Sequence, residues 1–150
     1  MPSPQVNART RTEWRDLGFF YDRDDVSRRW KLVGSKAGLG RFSELLLKYV
    51  ADPRNARVSE HEHYGPYQYL KVMTWTEAML DGHAISGTLE DLSRLSSIID
   101  ARLASGTTGQ SLRVGSEYAP NSEYDLEIQI AADGFDPAAA DPCCVDQPSP

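Results

Sequence analysis

The densest chemistry in the chain lies in Ser59-Glu60-His61-Glu62-His63-Tyr64. His61 and His63 are two residues apart, so an extended backbone points both imidazoles the same way. His83 falls on or beside the next predicted strand, and these are the only three histidines. Three imidazoles on neighbouring strands suit a zinc ion, with Glu60 or Glu62 nearby as a base. His-x-His alone is a weak signal, and neither a His-Glu-x-x-His motif nor a nearby cysteine reinforces it. The competing reading is a polar, partly exposed loop whose histidines make ordinary hydrogen bonds.

Tyrosines beside acids form a second constellation. Tyr64, Tyr67, Tyr69 and Trp75 surround Gly65-Pro66, and Ser116-Glu117-Tyr118 and Ser122-Glu123-Tyr124 flank the turn signal Pro120-Asn121. Tyrosine supplies large contact area at low entropic cost, which suits protein docking. It also favours sheets for packing reasons alone, and that is the reading for Tyr69 and Trp75. Tyr64 and Tyr67, at a loop edge, read as surface. If the two loops converge, Glu60, Glu62, Tyr64, Tyr67, Glu117, Tyr118 and Glu123 make one acidic-aromatic patch; otherwise the second loop is a solvated hairpin. Other catalytic classes find little support. Gly34-Ser35-Lys36-Ala37-Gly38-Leu39-Gly40 lacks the Walker spacing, and no Gly-x-Ser-x-Gly elbow occurs. No cofactor and no catalytic residue is expected.

Charge narrows the choice of partner. Acids outnumber bases 22 to 16, for a formal charge of −6. No Lys or Arg follows Arg113, while the first third carries Arg9, Arg11, Arg15, Arg28, Arg29 and Lys31. An acidic face repels phosphate backbones and attracts basic partners, so direct nucleic-acid binding is disfavoured. The two cysteines, Cys143 and Cys144, are adjacent, a poor geometry for a mutual disulfide and no zinc spacing. The first residues lack a signal-peptide core and no apolar run is long enough to span a bilayer, so a cytoplasmic protein without membrane contact is expected.

These side chains need elements to position them. Residues 1–12 read as a flexible arm and 136–150 as a disordered Pro/Asp-rich tail, leaving one domain over 13–135. Leu17, Phe19 and Tyr21 alternate in a first strand, and Trp30 and Leu32 in a second, with Asp22-Arg23-Asp24-Asp25 as the turn between. Ser35 caps a helix whose stripe is Leu39, Phe42, Leu46 and Tyr49, ended by Asp52-Pro53. Residues 54–66 read as a polar connection and 67–75 as a strand; 83–86 form a short fourth strand. Thr88 and Asp91 stand at capping-box spacing before a helix with Leu92, Leu95, Ile99 and Leu103 inward, ended by Ser105-Gly106. Residues 112–114 and 124–130 complete the strands. The order ββαββαββ predicts an α+β domain with a mainly antiparallel sheet of about six strands and both helices on one face. Leu32-Val33-Gly34-Ser35 and Ile85-Ser86-Gly87-Thr88 both run from strand through Gly and a hydroxyl cap into a helix. That suggests an internal repeat, unless it is simply how strands join helices.

The segments Trp14-Arg15-Asp16-Leu17-Gly18-Phe19-Phe20-Tyr21-Asp22, Trp30-Lys31-Leu32-Val33-Gly34-Ser35, Glu60-His61-Glu62-His63-Tyr64-Gly65-Pro66-Tyr67 and Asp81-Gly82-His83-Ala84-Ile85 resemble the immunity protein 32 type family of bacterial polymorphic toxin systems. The resemblance covers roughly 13–136. It implies a cytoplasmic protein that binds and neutralises a cognate toxin, often a nuclease, and it transfers no catalytic residue. An acidic plug with aromatic anchors suits a nuclease site, which must be basic to hold phosphate.

Overall fold

In the computed structural model, which describes residues 3–144, the chain is α+β. Helix α1 spans Pro4–Leu17, strands β1 Phe20–Asp24 and β2 Arg29–Gly34, helix α2 Lys36–Ala51, and strands β3 His61–Tyr64 and β4 Leu70–Thr74. Then come β5 Met79–Leu80, β6 Ile85–Gly87, helix α3 Leu89–Ser105, β7 Ser111–Arg113, the single turn α4 Gly115–Tyr118 and β8 Asp125–Ile130. A last 3-10 turn covers Pro137–Ala140. No helix among the described residues is long and apolar enough to cross a membrane.

The two long helices form for the reasons their sequences state. Ser35 accepts from the Gly38 amide, and Thr88 and Asp91 close a reciprocal capping box. Leu39, Phe42, Leu46 and Tyr49 on α2 and Leu92, Leu95, Ile99 and Leu103 on α3 are all buried.

The single antiparallel sheet expected from chain order is replaced by two four-stranded mixed sheets, ordered β1-β2-β8-β7 and β3-β4-β6-β5. Each is two antiparallel hairpins joined by one parallel pair, β2 with β8 and β4 with β6. Hairpin β1–β2 thus finds its neighbour at the far end of the chain rather than in the next hairpin.

This topology is an internal two-fold. Mapping β1-β2-α2-β3-β4 onto β5-β6-α3-β7-β8 turns the first sheet's strand order into the second's. Where the helices meet, Ser43 and Ser96, 53 residues apart, each place the hydroxyl 3.2 Å from the other's carbonyl oxygen. Ser35 and Thr88 are separated by the same interval, so the strand-Gly-hydroxyl segments occupy equivalent places. Turns match as well. The amides of Ser59 and Gly109 donate to Thr74 and Ile130 at 2.8 Å, and those strand amides return bonds to Glu60 and Gln110 at 2.9 Å. These are paired bulges whose first residue needs a left-handed backbone.

Gly109 takes that conformation at φ 96°, whereas Ser59 is forced into it at φ 78°. A left-handed side-chain-bearing residue costs about 1–2 kcal/mol, against about 0.5–1 kcal/mol of extra chain entropy for glycine. Ser59→Gly is therefore expected to raise the thermal midpoint by about 1–4 °C and Gly109→Ser to lower it. A fall in the Ser59→Gly midpoint would contradict the matched-turn assignment.

Both termini depart from the expected arm and tail. Residues 4–12 belong to α1, whose N-cap Ser3 accepts from Val6. Residues 136–144 run back across it. Arg15 pairs with Asp136 at 3.0 Å, Arg11 donates to the Cys144 carbonyl, and the buried Trp14 donates to Asp141 Oδ2 at 2.8 Å. Residues 145–150 of the expected tail lie outside the described residues. Both cysteines are free.

Candidate functional site

Strand β3, read from sequence as polar connection, is an edge of the second sheet, and among the described residues no strand pairs with its far side. His61 and His63 stand opposite Met73 and Lys71 of β4, on the face away from buried Leu70 and Val72. Glu60, Glu62 and Tyr64 alternate onto the other face. There burial and, second to it, the Glu62 charge push the Tyr64 phenol well above its usual range. Because the Thr74 amide bonds to Glu60, the alternation of an antiparallel ladder turns the amides and carbonyls of His61 and His63 toward the free edge. The two imidazoles pack edge to face with centroids 5.2 Å apart, and their Nδ1 atoms lie 3.0 Å from the carbonyls of Ser59 and Gln68 respectively.

A strained turn holds two tyrosines beside this edge. Gly65, Tyr67 and Gln68 are all left-handed, with φ 74°, 65° and 56°. The Tyr21 hydroxyl locks the turn by donating to the Pro66 carbonyl and accepting from the Tyr69 amide. Tyr67 donates to Asp141 Oδ2 at 2.6 Å, meets the Trp14 ring edge-on, and stacks on Tyr69 at 5.9 Å. Burial and the Asp141 carboxylate hold the Tyr67 phenol far above its usual range. Tyr69 projects outward, 69% exposed. Sheet propensity alone predicts this ring to be packed, because strand alternation does not show where a sheet face stays open.

The remaining expected residues lie elsewhere. Tyr118 is 2% exposed, with its hydroxyl donating to the Ser86 carbonyl at 2.6 Å and its ring under Arg94, so it belongs to the core and not to a docking surface. Glu117 sits on α4, and Glu123 lines a cleft beside β5. As β5 and β3 are opposite edges of one sheet, with β4 and β6 between, the seven acidic and aromatic residues form no single patch. The same separation removes His83 from His61 and His63. It occupies the β5–β6 turn with its amide on Asp81, and among the described residues no group of three or more His, Cys, Asp or Glu is placed to hold a metal.

Behind Tyr67, the Asp141 carboxylate is a junction. It accepts from Trp14, Tyr67 and the Cys143 amide and lies 3.4 Å from the Cys144 sulfur. Burial works against its charge, but these donors outweigh it and hold the carboxyl below its ordinary range. Burial and the Asp141 charge push the Cys144 thiol up to about 11. Thiolate is the reactive form, so at pH 8 Cys144 is expected to alkylate on the order of 100-fold more slowly than an ordinary exposed thiol. Mass mapping against exposed Cys143 reads this directly; equal rates would mean the terminal segment is not seated.

Comparison of the chain with family models, with curated proteins and with solved structures finds no match.

Proposed function

We propose that the chain is a cytoplasmic immunity-type protein that neutralises a bacterial toxin by binding it along the free edge of β3. The observation that carries this reading is the juxtaposition of an unpaired strand edge with an exposed tyrosine held rigidly by its neighbours. An extended segment of the toxin adds to His61 and His63 through main-chain hydrogen bonds, the mode known as strand addition. Its side chains then meet Glu60 and Glu62 on one face and His61 and His63 on the other, with Tyr69 projecting from the adjoining turn. The acids, with an overall charge of −6, favour a basic toxin surface such as that of a nuclease. The resemblance of 13–136 to the immunity protein 32 type family supports the same reading.

The equivalent edge helps explain the choice of β3. In the other half of the molecule the outward carbonyl of Arg113 on β7 already accepts from Arg102, which guards that edge.

Co-expression with the products of the genes flanking its own tests the proposal. The chain is expected to restore growth against one of them and to co-purify with it. Failure to bind or protect against any flanking product contradicts the toxin-neutralising reading.

A further inference from the structure

We propose that the cleft between β5 and the α4–β8 connection is a second docking groove, for a basic helical segment of a protein partner that carries one large aromatic side chain. The internal two-fold supports this. Phe20 and Tyr21 stand opposite Val33 and Leu32, as Met79 and Leu80 stand opposite Ser86 and Ile85. The turn after β3 likewise corresponds to the longer connection after β7. Two equivalent grooves result, one between β1 and residues 65–69, the other between β5 and residues 115–124.

The first groove is filled by the chain itself. Helix α1 lays Trp14 against Phe20 at 4.9 Å and Tyr21 at 5.1 Å, and the ring is only 2% exposed. The arginines of α1 reach the segment behind it, with Arg15 on Asp136. Among the described residues the second groove has no such cover. It is an open cleft of about 450 Å³ with Ala78, Met79 and Leu80 along one wall and Glu77, Asp81 and Glu123 among its lining. No lysine or arginine is among its lining residues.

Apolar wall and acidic margin together select the chemistry that α1 already displays, an aromatic anchor flanked by cations. The six extra residues after β7 lengthen one lip of the groove without closing it. One surface in this molecule thus shows, by its filled counterpart, the kind of segment that fits it.

A synthetic peptide of residues 3–18, which carries Trp14 and the three arginines of α1, serves as the probe. Titrated onto the isotope-labelled full chain, it is expected to give saturable shifts at the amides of Met79, Leu80 and Glu123. A Trp14→Ala peptide, or the Glu77→Lys/Glu123→Lys chain, is expected to bind at least tenfold more weakly. Both acids are exposed, so the charge-reversed chain should keep its fold, which its spectrum checks. Shifts confined to the native α1 site, or none, overturn the proposal; so does undiminished binding by both variants. The assay contains no ligand for β3, so its failure leaves the β3 reading untouched.

Discussion

Asp141→Ala is expected to release the terminal segment and to lower the stability of α1 and its neighbours by about 3 kcal/mol, the scale of losing several hydrogen bonds to one buried charge. The carboxylate is 4% exposed and joins three stretches of chain, through Trp14 Nε1, the Tyr67 hydroxyl and the Cys143 amide. Removing it strands the indole N–H in a buried site, where an unmet donor costs about 1–3 kcal/mol. If the segment opens together with the core, the thermal midpoint falls by about 6–12 °C. If it opens alone, amide exchange across residues 4–17 accelerates while the core stays protected. Either way Cys144 becomes as reactive as Cys143. Unchanged midpoint, exchange and thiol reactivity would contradict the assigned role.

The pH dependence has a definite sign. The Asp141 carboxyl is depressed in the folded state. Its contribution is therefore complete above the unfolded aspartate value of about 3.9 and disappears as pH falls through the lower folded-state value. Acidification below about pH 4 should free Cys144 in the parent chain. Asp141→Asn should show no such step, because it has no carboxylate to protonate.

The second large effect concerns the β3 edge. Tyr69→Ala is expected to weaken binding of the neutralised toxin by about 30-fold, near 2 kcal/mol, as befits an exposed aromatic anchor. Its hydroxyl makes no contribution to the Tyr21 lock, which uses the Tyr69 backbone amide, so the fold should survive. His63→Pro removes one amide that faces the free edge and leaves the β4 ladder bonds in place, a substitution suited to an edge strand. It should reduce affinity at least tenfold with little change in thermal midpoint. Glu60→Gln with Glu62→Gln should mainly slow association at low salt. Full affinity in both Tyr69→Ala and His63→Pro would exclude β3 as the docking edge.

Much of this architecture was legible in the sequence, and the exceptions have physical causes. Both long helices announce themselves because Ser35, Thr88 and Asp91 satisfy specific end groups and the buried leucines recur at helical spacing. The class, α+β, follows from the order of elements. The division into two sheets does not, because it depends on parallel pairing of β2 with β8 and β4 with β6 across distant sequence. The terminal segments read as loose because α1 has no apolar stripe and buries only Trp14, whose partner Asp141 is 127 residues away.

At the site, His61-Glu62-His63-Tyr64 shows no inside-outside alternation since an edge strand can be wet on both faces. Tyr118 and Tyr69 exchanged expected places. Tyr118 lies among Ser and Glu yet turns inward to reach Ser86, while Tyr69 precedes a buried strand yet points out from a left-handed turn. Neither orientation is a local property of sequence. The signal that was available is Gly65-Pro66, which marks a reversal before the strand begins.

Hydrogen exchange on the chain, alone and bound to the toxin it neutralises, tests the docking edge most directly. The amides of His61 and His63 should exchange rapidly in the free protein and slow at least tenfold in the complex, with those of Glu62 and Tyr64 protected in both. A complex in which His61 and His63 exchange as fast as in the free chain would contradict strand addition at β3.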